Sequence, residues 1–174
     1  MVLSHDIGIV NKYTLRTASV DNSNFLKTHI AGVVHSHYCH TAEDIATRTC
    51  FFSLRKNPID TIISGILANH YKLYHIRPRD RLPELEPFCY TDWNKIFQIC
   101  NYYCSWHKYY AALLQPDHRI IYYEDYLPHL SDAVSFRRTF PEKNHLLINY
   151  QQVHDRISQF EKIMLKSQSR FSSN

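Results

Sequence analysis

Glycine is scarce, with three in 174 residues. No glycine-rich Lys-Ser/Thr phosphate loop is present, and Gly8 has no flanking Lys-Ser or Gly-Thr pattern. That counts against a nucleotide kinase-like chain. No apolar run approaches the ~20 residues of a membrane-spanning helix. The first twelve residues lack the long apolar segment of a secretory leader. The five cysteines are odd in number and irregularly spaced, at Cys39, Cys50, Cys89, Cys100 and Cys104. They do not read as a disulfide framework, so a reducing compartment, the cytoplasm, is expected. Repeats and low-complexity tracts are also missing.

What is present is an apolar, aromatic and mildly basic chain. Hydrophobic residues make up 44%, which excludes a disordered protein. Its length suits one domain with a real core, expected over residues 1–166 with a disordered tail at 167–174. The net charge of +4 fits an anionic ligand but is too weak to imply nucleic acid. Twelve histidines add a reserve of charge near pH 6.

The chain centres on residues 48–67. Cys50 to Leu54 is a short apolar and aromatic run that reads as a buried strand. A helix then starts clearly, with Asn57 as N-cap, Pro58 at the first position and Asp60 in the first turn. Ile59, Ile62, Ile63, Ile66 and Leu67 form its core-facing stripe, and Ser64 falls on the face of Asp60. Arg55 and Lys56 lie between strand and helix. Cations at a helix N-terminus with free backbone N–H groups make an anion site. An ordinary strand–loop–helix unit with solvated basic residues is the alternative.

Short strands are expected around Ile7–Val10, Phe25–Ile30 and Arg119–Tyr123, and one helical turn at Thr41–Ile45. The central helix is expected to run to about Tyr74. Residues 76–90 read as a long Pro- and charge-rich surface loop, the kind of segment in which specificity resides. Asp92 suits the cap of a helix carrying Trp93 to Leu114, and residues 149–166 read as one helix with Val153, Ile157, Phe160 and Ile163 on one side. Strands alternating with long helices predict an α/β layer fold with a parallel sheet.

Four local features then occur in order: Leu26-Lys27-Thr28-His29; Lys56-Asn57-Pro58-Ile59-Asp60 with Ser64; Ser105-Trp106-His107; and Ile120 to Leu127, containing Tyr123-Glu124-Asp125. Together, over about residues 24–130, they resemble the sulfotransferases that use 3′-phosphoadenosine 5′-phosphosulfate (PAPS). The resemblance implies a three-layer parallel sheet flanked by helices, a P-loop-like sulfotransferase fold. It implies PAPS as sulfuryl donor and a small-molecule or glycan acceptor, with no nucleic-acid or membrane partner. It implies that His29 takes the acceptor's proton and that Lys27 stabilises the sulfuryl group in flight, roles that suit a neutral imidazole and a cation. Pro58, Asp60 and Ser64 fall on the family's 3′-phosphate motif, Arg-x-Pro-x-Asp-x-x-x-Ser. Its arginine aligns with Lys56, and Arg55 stands one residue earlier. Lysine keeps the charge and loses the bidentate fork. The resemblance sets Trp106 near the adenine, with simple core packing as the alternative.

The family's first phosphate loop has no counterpart among the 26 residues before Lys27. The expected fold is accordingly N-terminally truncated or reduced. Without that loop, a catalytically impaired module binding a nucleotide or a partner is the competing function, because loss of the loop removes transition-state stabilisation before binding. His35, His37, Cys39 and His40, with Cys100 and Cys104, carry metal-ligand chemistry without a recognised finger spacing, and no metal is expected.

Overall fold

The computed structural model describes residues 2–6, 34–36, 49–72, 84–114, 119–122, 124–125 and 143–171. The elements in chain order are β1 (Val2–Asp6), β2 (Val34–Ser36), β3 (Thr49–Leu54), α1 (Pro58–His70), α2 (Trp93–Ala111), β4 (Arg119–Tyr122), α3 (Lys143–Leu146), α4 (Tyr150–Ser158) and α5 (Glu161–Ser169). The expected strands at 7–10 and 25–30 and the turn at 41–45 lie outside the described residues.

The expected three-layer α/β arrangement is not what the described residues form. Helix dominates them. The strands, of six residues at most, pair in parallel in the order β2-β1-β3-β4. Phe51 of β3 stands beside Arg119 of β4, and Leu3 of β1 lies between Cys50 and Val34. Among the described side chains, the larger core is built from helices and the segments beside them. It joins Ile62, Ile63 and Leu67 of α1 to Ile96 and Tyr103 of α2, Val153 and Ile157 of α4 and Met164 of α5. A smaller cluster sets Phe52 and Leu54 of β3 against Trp106 and Tyr110 of α2 and against Phe171.

The reason lies in α1. Apart from Asp60, every residue from Pro58 to Ala68 is buried. A helix enclosed around most of its circumference needs apolar partners on several sides, and α2, α4 and α5 supply them. Ser64, only 2% exposed, is therefore enclosed rather than left on a solvated face with Asp60. The helix ends at His70, short of Tyr74. Lys72 turns to φ 55°, a left-handed conformation that cannot continue a right-handed helix.

Other boundaries shift for equally local reasons. The helix expected over 149–166 breaks at Gln159–Phe160, where the Phe160 N–H closes a tight turn on the Ile157 carbonyl at 2.9 Å. The turn resets the face. Met164 enters the core, and Ile163, expected on the same side as Val153 and Ile157, is 60% exposed. Residues 167–171, expected in a disordered tail, instead finish α5 and return Phe171, 4% exposed, to the core.

The described part of the expected surface loop is tied down. The Phe88 N–H donates to the Leu146 carbonyl at 3.0 Å, and the Ile148 N–H donates to the Phe88 carbonyl at 2.9 Å. Asn149 bridges both backbone groups of Tyr90, at 2.9 and 2.8 Å. His70 stacks on Phe88 with ring centres 3.4 Å apart.

Asn57 is the entry point of α1. Its Oδ1 accepts from the N–H groups of Ile59 at 2.9 Å and Asp60 at 3.2 Å. Asn57→Ala is expected to cost about 1 kcal/mol of folding stability, the usual worth of such a cap, read as a lower urea midpoint at unchanged slope.

Candidate functional site

The junction between β3 and α1 is built as the sequence predicts locally, but its polar groups are assigned differently. The first-turn amides of α1 are taken. Besides the two bound by Asn57 Oδ1, the Thr61 N–H and hydroxyl both donate to the Asn57 carbonyl, at 3.3 and 3.1 Å. The expected anion site made of free backbone N–H groups is thus corrected: the cap satisfies them internally, and any anion chemistry belongs to side chains.

Lys56 is also engaged elsewhere. Its N–H donates to Glu124 Oε2 at 2.9 Å, and its amine hydrogen-bonds to the Asp125 carboxylate. The amine stands 5.9 Å from the centre of the Tyr122 ring. The hydrogen bond to Asp125 holds its pKa above the ordinary lysine value. Both side chains are about half exposed, at 55% and 51%, so the pair is solvent-screened. It ties the start of α1 to the residues after β4. The Glu-Asp pair thus meets a basic residue.

Arg55 is the residue that reaches Ser64. Its Nη1 donates to Ser64 Oγ at 3.4 Å across the first turns of α1. The Arg55 carbonyl accepts from the Gln168 amide of α5, fixing the backbone from which the guanidinium extends. Arg55, rather than Lys56, is therefore the cation beside Ser64. The two residues that follow β3 thus turn apart, Arg55 to Ser64 of α1 and Lys56 to the acids after β4.

A third cation, Lys143, had no signal in the sequence. Its Nζ donates to Asp60 Oδ1 at 3.5 Å, although 83 residues separate the two. Burial pushes the amine's pKa down, Asp60 pulls it back up, and the charge of Arg55 pushes it down again. Arg55, Ser64, Asp60 and Lys143 therefore form one polar group against α1.

Trp106 lies in the smaller apolar cluster. It is 6% exposed and stacks on Tyr110, with ring centres 3.9 Å apart and planes at 28°. This is core packing, the alternative weighed for it. His107 beside it is fully buried. Its Nδ1–H donates to the Tyr103 carbonyl at 2.7 Å, and Nε2 has no hydrogen-bond partner among the described residues. Burial drives its pKa down to about 4. Burial likewise pushes the Cys100 thiol up to about 12, which disfavours a metal-binding thiolate. No group of three or more His, Cys, Asp and Glu suited to a metal occurs among the described residues. Lys27 and His29 lie outside those residues. Among the described residues, no helix is long and apolar enough to cross a membrane.

No family model, curated protein or solved structure matches the chain.

His107 generates a pH prediction. Its folded pKa lies below the unfolded value of 6.5, so the unfolded chain binds the extra proton between about pH 6.5 and 4. Stability is therefore lost as pH falls through that window, by about 3 kcal/mol from this residue. Denaturant unfolding at pH 7 and pH 4.5 is expected to show a smaller loss on acidification in His107→Leu than in the wild type.

Proposed function

We propose that the chain binds PAPS and transfers its sulfuryl group to an acceptor hydroxyl or amine on a small molecule or glycan. The 3′-phosphate of the nucleotide is assigned to Arg55 and Ser64. What carries this reading is the Arg55–Ser64 contact, a guanidinium set on a buried hydroxyl one helix entry away. A guanidinium offers a fork of donors and the serine hydroxyl adds one more, a set matched to a phosphate monoester. The order of the four sequence features supports the choice of nucleotide.

In the proposed reaction the acceptor attacks sulfur and its proton passes to His29. The bond from sulfur to the 5′-phosphate oxygen breaks, and adenosine 3′,5′-bisphosphate leaves. Lys27 offsets the negative charge spread over the sulfuryl oxygens. The roles of His29 and Lys27 rest on the sequence resemblance alone. A second reading is a module that holds the nucleotide without transferring the sulfuryl group.

Calorimetric titration with adenosine 3′,5′-bisphosphate, with 5′-AMP as control, tests the site. The bisphosphate is expected to bind selectively. Arg55→Ala and Ser64→Ala are each expected to weaken it roughly ten- to hundredfold, the worth of a hydrogen bond to a charged group. Lys56→Ala should have a much smaller effect, because its amine is held by Asp125. Failure of the folded chain to bind the bisphosphate would overturn the reading. His29→Ala is expected to abolish sulfuryl transfer from PAPS while leaving bisphosphate binding intact. Retained transfer in that variant would remove the residue's assigned role, and binding without transfer in the wild type would establish the second reading.

A further inference from the structure

The part of the polar group at α1 that the sequence motif leaves unexplained is the Lys143–Asp60 pair. Lys143 belongs to α3, a separate segment brought against the first turn of α1. Its side chain is 21% exposed, against 45% for Asp60, so the cation is the more enclosed partner. The contact is long. At 3.5 Å it exceeds the ~2.7–2.9 Å of a good charge-assisted hydrogen bond. An amine enclosed beside a guanidinium, with a carboxylate at that distance, is an incompletely compensated charge. Burial and Arg55 both lower its pKa, as such a setting requires.

Of the neighbouring described acids, Glu124 supports this charge only through space, raising the amine's pKa as the smallest contribution. Asp125 is bound by the Lys56 amine and Glu124 accepts the Lys56 N–H. Among the described residues, Asp60 is the hydrogen-bonding partner of Lys143. Asp60 itself is partly solvated and sits in the first turn of α1, where the positive end of the helix dipole stabilises its carboxylate without Lys143. Its carboxylate is therefore the readily released member of the pair. A phosphate monoester at Arg55 and Ser64 carries up to two charges and three outer oxygens, more than one distant carboxylate oxygen supplies.

We propose that Lys143 is a third ligand for the phosphate bound at Arg55 and Ser64, and that Asp60 occupies its amine until the phosphate arrives. The inference rests on the nucleotide site proposed above for its position, but it requires only a phosphate group. Asp60 is then an internal competitor. It keeps the buried amine charged in the empty site and weakens the affinity of that site for phosphate.

The test titrates the full chain with adenosine 3′,5′-bisphosphate and, separately, with inorganic phosphate, in wild type, Lys143→Met, Asp60→Asn and the double variant. Methionine keeps an unbranched apolar stem in the enclosed position. Lys143→Met is expected to weaken both ligands at least tenfold. Asp60→Asn is expected to tighten both severalfold, a gain that partial unfolding does not mimic. That gain should vanish in the double variant. Unchanged binding in Lys143→Met, with Arg55→Ala still weakening the bisphosphate, would overturn this inference and leave the nucleotide site standing. Lys143-dependent binding of inorganic phosphate without bisphosphate binding would uphold it and overturn the nucleotide reading. No binding of either anion to the wild type would overturn both.

Discussion

A helix enclosed on most sides must settle its polar end before it can be buried. In this chain that constraint falls on α1, whose residues from Pro58 to Ala68 are buried except for Asp60. The first-turn N–H groups of such a helix carry a large desolvation cost if left unmatched. Asn57 removes that cost with its side chain and carbonyl. Gln168 then secures the carbonyl of Arg55, and Glu124 secures the N–H of Lys56. Two distant parts of the chain thus converge on two adjacent residues, and the larger core closes around the helix they anchor.

The same constraint divides labour between the adjacent cations. Lys56 lies on the solvent side and binds Asp125, where a screened ion pair contributes little energy and joins the start of α1 to Asp125. Arg55 turns inward and meets a hydroxyl. Lys143 arrives from a third segment and meets the one acidic residue of the first turn of α1. The resulting group combines a guanidinium, an amine and a hydroxyl with a single carboxylate. It differs from a helix-terminus anion site because the backbone amides are already spent on the cap. Its chemistry comes from side chains carried by two separate stretches of sequence, 55–64 and Lys143.

Much of this was legible locally. The span of β3, the cap at Asn57, Pro58 at the first helical position, the helix opened by Asp92 and the strand at Arg119 all rest on short-range rules. Backbone sterics, capping and apolar spacing within a few residues decide them. The layer architecture was not legible. A periodic stripe shows that a helix has a buried face, yet it does not say whether a sheet or other helices cover it. The break at Phe160 was also hidden, since Ile163 and Met164 are both apolar and only the turn decides which one enters the core. Lys143 carried no signal, because its significance depends entirely on residues distant in sequence.

By itself, the sequence determined where the central helix starts, which residues stand at that start, and that cations and a serine accompany them, because these are properties of a few consecutive residues. Tertiary structure alone decided which cation faces the serine, which one is held by Asp125, and that α2, α4 and α5 share the core of α1. Those outcomes depend on partners that meet only when separate segments pack. Burial then sets the energetic weight of each pairing.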